Sequence, residues 1–295
     1  MPRALHTVLA LTLAGGLVSC ASEDGFDRTA PHAISPPRIE VSPSSPPARG
    51  RLSSPPTPSP TPAPSPHASK VPDENELPSE LVGIEWYALP TKARIVALTF
   101  DCGANADGIP AIFDTLARKK APASFFLTGR WAETFQEQAA SIGTSFAIGN
   151  HTYDHPDLTK LERPEIRREL LKGGRRIVRY TEVDPHPLFR FPFGASDART
   201  VKIVNRLGYG SIRWTIDTLG WKGTDAGITT RSIVKRVMAG LRPGAILLMH
   251  VGSAPDGSTL DADALPRLIR KIRRAGYRFV RLDRFISSLS EEDAG

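Results

Sequence analysis

The chain has 295 residues and a formal net charge of +7, from 38 Lys and Arg against 31 Asp and Glu. That length allows one large domain or two small ones, and two cysteines exclude a disulfide-rich scaffold. No nucleic-acid-binding motif accompanies the positive charge, which suits anionic polymers or lipid headgroups as well as plain solubility.

The first 20 residues, MPRALHTVLALTLAGGLVSC, combine a basic start, an apolar run and small residues before Cys20. This is the pattern of an export signal, too short for a comfortable membrane span. The ending LVSC is similar to a bacterial lipobox, which implies lipidation at Cys20 and tethering to the outer face of a membrane. The plainer alternative is a cleaved signal with an incidental cysteine. With Cys20 used in this way, Cys102 stands alone and no disulfide framework is possible.

Residues 21–80 are rich in Pro and Ser and poor in aliphatics. Such a segment cannot bury enough apolar surface to offset the entropy of ordering. Proline keeps it extended, at about 3.1 Å per residue. It reads as a tether, followed by one folded domain over 81–290 and a short tail, 291–295.

Within that domain seven apolar runs read as strands: RIVALTF, ASFFLTG, SFAIGNH, LFRFP, GSIRWTID, AILLMHV and YRFVRL. Helical patterns lie between them over 109–119, 132–142, 163–180, 197–207, 230–241 and 264–275. Strands alternating with helices of ten residues or more predict βα units, hence an α/β fold with a parallel sheet, open or closed into a barrel. Continuously apolar strands fit a sheet covered on both faces.

Polar residues collect at or near the carboxyl ends of these runs: Asp101, His151, Arg190, Asp217 and His250. In α/β barrels the chemistry gathers on that face. His151 and His155 are four apart, so on a helical turn both imidazoles could reach one ion. A carboxylate or thiolate from another strand end would be the third ligand. Arg190 can fix a carboxylate in its ionised form, and His250 titrates near neutrality and suits proton donation. Trp214, Asp217 and Trp221 could wall a sugar-sized groove, or Trp214 could simply pack in the core.

Five short blocks occur in order: TFDCG, HTYDH, RFPFG, DTLGW and LMH. As a set they resemble the five motifs of the NodB-homology polysaccharide deacetylases, carbohydrate esterase family 4. The resemblance implies a deformed (β/α) barrel of about seven parallel strands that removes N-acetyl groups from a sugar polymer. It implies Asp101 as general base, Arg190 as its orienting partner and His250 as the acid. His151 and His155 would hold a divalent metal. The Phe193 N–H would help bind the oxyanion, Leu248 would line the acetyl pocket, and Thr152 would brace the histidine loop. The sequence departs from the pattern twice. Cys102 stands where the family has a metal-ligating aspartate, and Gly220 replaces the aspartate that tunes the acid histidine. As a thiolate Cys102 would complete the site and favour zinc; as a small near-apolar side chain it would only fill space. Asp217 remains as a possible substitute for the carboxylate missing at 220.

The function implied is an envelope N-deacetylase of peptidoglycan amino sugars, N-acetylglucosamine or N-acetylmuramic acid, with chitin fragments or acetylated xylan as further options. A non-catalytic glycan-binding lipoprotein is the competing expectation. Expected partners are the wall glycan and, through the lipid alone, a membrane; the protein is expected to be a monomer that binds no nucleic acid.

Overall fold

The run IVALTFDC forms strand β2 (Ile95–Cys102), and all eight residues are buried. This is the computed structural model's central strand; the model describes residues 77–293. The expected export signal, Cys20 and nearly all of the tether lie outside the described residues. Within them, no helix is long and apolar enough to cross a membrane.

β2 pairs in parallel with β3 (Ser124–Leu127), β8 (Ala245–His250) and β9 (Arg278–Val280). From β3 the sheet continues through β4 (Ala147–Asn150), β5 (Leu188–Phe189) and β6 (Gly210–Ile212) to β1 (Glu85–Trp86). On the other side β8 carries β7 (Ile216–Asp217). Every ladder is parallel, so the strand carboxyl ends share one face of the sheet.

The expected single strand GSIRWTID is two strands, β6 and β7, because the run changes partners midway. Its first part pairs with β5 and β1. Then the Arg213 N–H donates to the Trp86 carbonyl (2.8 Å) and the Thr215 N–H to the Ile246 carbonyl (2.8 Å). One bent run thus touches both ends of the strand path and curls the sheet into a deformed barrel. β1, absent from the expectation, is a two-residue strand with too little pattern to read.

The helices are α1 (Ile109–Lys119), α2 (Gly129–Thr134), α3 (Gln136–Ser145), α4 (Arg163–Thr181), α5 (Ala198–Asn205), α6 (Thr230–Gly240), α7 (Leu260–Arg274) and α8 (Leu282–Asp293). The helix expected over 132–142 is broken at Phe135, whose φ −114° and ψ 61° are not helical. Its ring docks on Trp131, 5.3 Å between centroids. α4 starts where the sequence predicts, through a capping box between Glu162 and Glu165 with Pro164 in its first turn.

Two apolar layers sandwich the sheet. Val96, Leu98, Phe100 and Cys102 face an outer layer that includes Ile112, Leu116, Val237, Leu265 and Ile269 from the helices. Ile95 and Ala97 face the barrel interior with Phe126, Leu188, Ile212 and Ile246, closed by Leu81, Leu89, Leu282 and Ile286. The interior is thus a packed core of side chains, not a pore.

Candidate active site

Side chains alternate across a strand, and that alternation decides the first motif. Asp101 shares its face with Ile95 and Ala97 and reaches the barrel mouth. Cys102, one residue on, shares the outer face and is fully buried in the helix-packed layer. Burial, reinforced by the Asp101 charge, pushes its thiol well above the ordinary value. The expectation that Cys102 joins the histidines as a ligand is therefore corrected: its side chain packs in the core on the strand face opposite Asp101.

Arg190 follows β5 and is 0% exposed. Its Nη1 donates to Asp101 Oδ1 at 2.7 Å, Nε to the Ile212 carbonyl at 3.0 Å and Nη2 to the Arg213 carbonyl at 3.1 Å. The guanidinium lies 4.0 Å from the Phe126 ring centroid. Burial works to raise the Asp101 pKa, but Arg190, His151 and His250 outweigh it and hold the carboxyl below its usual value. The pair keeps an ionised carboxylate in a nearly dry position.

His151 and His155 do converge, their Nε2 atoms 3.1 Å apart. They do so on an irregular loop, not on the helical turn the spacing suggested. Thr152 and His155 have left-handed φ values of 72° and 59°. The Thr152 N–H donates to Asn150 Oδ1 (2.9 Å), and Thr152 Oγ1 accepts from the His155 N–H (2.9 Å). His151 Nδ1 donates to the Arg190 carbonyl at 2.8 Å, which leaves its Nε2 lone pair facing the site, 3.6 Å from Asp101 Oδ2. Burial lowers the pKa of His151, and burial with the neighbouring His151 charge lowers that of His155 to about 4. Two neutral, converging imidazoles fit a divalent cation as a pair of ligands. A third protein ligand is missing: among the described residues no three His, Cys, Asp or Glu are arranged to hold an ion.

His250 ends β8 in register with Asp101. Together with the two histidines these residues line a cavity of about 730 Å³ whose walls include Asn105, Trp221, Ser253 and Pro255. Trp221 is 45% exposed, with its ring 6.3 Å from that of His250. Asp217 makes no hydrogen bond to His250 and acts on it only through space. It accepts from the Leu219 N–H (2.8 Å) and lies 3.4 Å from Trp221 Nε1, so it shapes the loop that carries the tryptophan. Trp214 packs beside Arg190 and Arg213. Phe193 is 71% exposed, its ring edge-on to His155 at 4.6 Å. Leu248 is buried one pleat below His250 on the same face.

The sequence reading missed Asn105 and Ser253. Asn105 Oδ1 accepts from the Ser253 N–H (2.8 Å) and its Nδ2 reaches Ser253 Oγ (3.1 Å), tying the loops after β2 and β8 into one wall. Polar residues after two strand ends were the only signal available.

A family model described as polysaccharide deacetylase matches residues 88–212. A peptidoglycan-N-acetylglucosamine deacetylase of Bacillus cereus is 33% identical over 204 residues, 68% of this chain and 72% of its own length. The chain belongs to the polysaccharide deacetylase family. The peptidoglycan-N-acetylglucosamine deacetylase PgdA of Listeria monocytogenes is also 33% identical, over 210 residues, but this family member spans only 42% of it. Among solved structures, the peptidoglycan N-acetylglucosamine deacetylase Bc1960, in complex with a hydroxamate-type benzamide, aligns with TM-score 0.62 and 31% identity, covering 68% of this chain and 91% of that one. BA3943 of Bacillus anthracis, described as a CE4 family pseudoenzyme, aligns with TM-score 0.64 and 29% identity, covering 70% of each chain.

Proposed function

We propose that this family member is a cell-envelope N-deacetylase that hydrolyses acetamido groups of peptidoglycan amino sugars. The observation that carries the reading is the Arg190-paired Asp101 beside two neutral imidazoles and His250 at one cavity mouth. Family membership supports the reaction class, and the relatives named for peptidoglycan N-acetylglucosamine support the substrate. The N-acetylglucosamine unit is favoured over N-acetylmuramic acid on that ground.

In this reading the Asp101 carboxylate takes a proton from the water that attacks the acetamide carbonyl carbon. The Phe193 N–H donates to the developing oxyanion. His250 gives a proton to the leaving nitrogen as the C–N bond breaks, so acetate and a free amine result. Arg190 holds Asp101 ionised and oriented throughout. Leu248 packs beneath the acetyl methyl, and Trp221 offers an aromatic face to the sugar. His151 and His155 would hold a divalent metal, zinc being compatible with two imidazoles; bound there it would polarise the carbonyl and acidify water. Lipidation at Cys20 would hold the domain at the outer face of a membrane, facing the wall.

A second reading, a glycan-binding protein without catalysis, is favoured by one observation: Cys102 supplies no third ligand. Acetate release from purified peptidoglycan, with and without added zinc and chelator, separates the two. Metal-stimulated acetate release supports the deacetylase. Glycan binding without acetate under every metal condition would establish the second reading instead.

A further inference from the structure

The family pattern places an aspartate at position 220 to act on the acid histidine, and this chain has glycine there. The question is what partners His250. Asp217, the obvious substitute in sequence, is committed to the Leu219 and Trp221 loop.

The carboxylate beside His250 comes from another element. Asp261 is the second residue of α7 and is 3% exposed. Its Oδ2 accepts the His250 backbone N–H at 2.9 Å and lies 3.8 Å from His250 Nδ1. Two polar atoms here are buried without a partner, His250 Nδ1 and Asp261 Oδ1. Asp261 Oδ2 is the oxygen near Nδ1, and a small rotation of either side chain would bring the 3.8 Å separation within hydrogen-bond reach, which relieves the cost of leaving Nδ1 buried and unpaired. His250 as a whole is 30% exposed in its side chain, so with Nδ1 buried the ring presents its Nε2 edge to the cavity.

Gly220 supplies the second, independent observation. A Cβ built there would stand 2.3 Å from Asp261 Oδ1 and 2.5 Å from its Cγ. A side chain at 220 would require the Asp261 carboxylate to leave its present position.

We propose that Asp261 is the positioning residue for His250, receiving Nδ1–H and stabilising the imidazolium, in place of the aspartate absent at 220. The proposal rests on His250 being the proton donor to the leaving nitrogen. The balance is simple: Nε2 passes its proton to the departing nitrogen, Nδ1 keeps its own on Asp261, and the ring returns to neutral.

The test measures acetate release by the full chain on N-acetylated glycan oligomers for four variants, with unfolding curves for each. His250→Gln should be inactive. Asp261→Asn should fold as wild type and lose kcat, by up to the roughly 10²–10⁴-fold that a positioned proton donor contributes, with KM unchanged. Gly220→Asp alone should be impaired by collision with Asp261, whereas Gly220→Asp with Asp261→Ala should recover most of the lost kcat. Long-range proton–nitrogen spectra give a readout independent of turnover: His250 should carry its proton on Nδ1 in wild type and shift toward the Nε2–H tautomer in Asp261→Asn. A role for Asp261 in bracing α7 alone predicts neither the relocation rescue nor the tautomer change. If His250→Gln is inactive while Asp261→Asn turns over and titrates spectroscopically as wild type, the proposal is overturned and the donor role of His250 stands. If His250→Gln keeps wild-type turnover, the donor role fails first and the proposal falls with it. A loss in Asp261→Asn that the relocated carboxylate does not restore, with the tautomer unchanged, also overturns it.

Discussion

Replacing Arg190 by methionine tests the electrostatic core of the site. The substitution keeps an unbranched side chain but removes all three hydrogen bonds of the guanidinium and its stacking over Phe126. Breaking one side of a buried ion pair costs about 3–5 kcal/mol, because the other charge stays buried. Each carbonyl that loses its donor adds about 1 kcal/mol or more. With two carbonyls losing a donor, the expected loss is about 5–7 kcal/mol, a large part of the roughly 5–15 kcal/mol that holds a domain together. The pH dependence follows from Asp101. In wild type its pKa is depressed, so its contribution is present above the unfolded value and is lost as pH falls through the lower folded value. In Arg190→Met burial no longer has its main opponent, and the carboxyl pKa rises above the unfolded value. That destabilises the variant wherever the unfolded chain would be ionised. The deficit relative to wild type should therefore be largest near neutral pH and shrink toward pH 4. Urea unfolding of both proteins at several pH values measures it. A variant within about 1 kcal/mol of wild type at pH 7, or a deficit that grows with acid, would refute the argument.

Asp101→Asn should cost about 10²–10⁴ in turnover while the fold is retained, measured as acetate release alongside circular dichroism. Cys102→Ala should leave zinc content and rate unchanged and cost about 1–2 kcal/mol of stability, as for a small core truncation. Cys102→Asp should not create a metal site but should destabilise by several kcal/mol, because it directs a carboxylate into the helix-packed layer; a stable Cys102→Asp protein with one added zinc would show that the strand end rearranges. Trp221→Ala should raise KM for oligosaccharides more than it lowers kcat, since the exposed indole lines the cavity and touches no reacting group.

Much of this architecture is readable from local pattern, because local pattern causes it. α1 begins and ends at 109 and 119, as its helical pattern predicts. The alternation of apolar runs with amphipathic helices dictates parallel pairing, and parallel pairing gathers Asp101, His151, Arg190 and His250 at one end. Even the fate of Cys102 is written in the period of two: a residue adjacent to Asp101 within a strand points the other way.

Other features depend on contacts between segments distant in the chain. The run 210–217 bends because its two halves bond to opposite ends of the strand path. His151 and His155 converge because Asn150 and Thr152 hold left-handed turns, not because four residues make a helical turn. Asp261 and Asp263 are near-equivalent acids in the first turn of α7, and neither their spacing nor their chemistry distinguishes them. Only the packing of α7 against β8 turns Asp261 inward onto His250 and leaves Asp263 exposed, since a helix face acquires a partner only when the sheet beneath it exists.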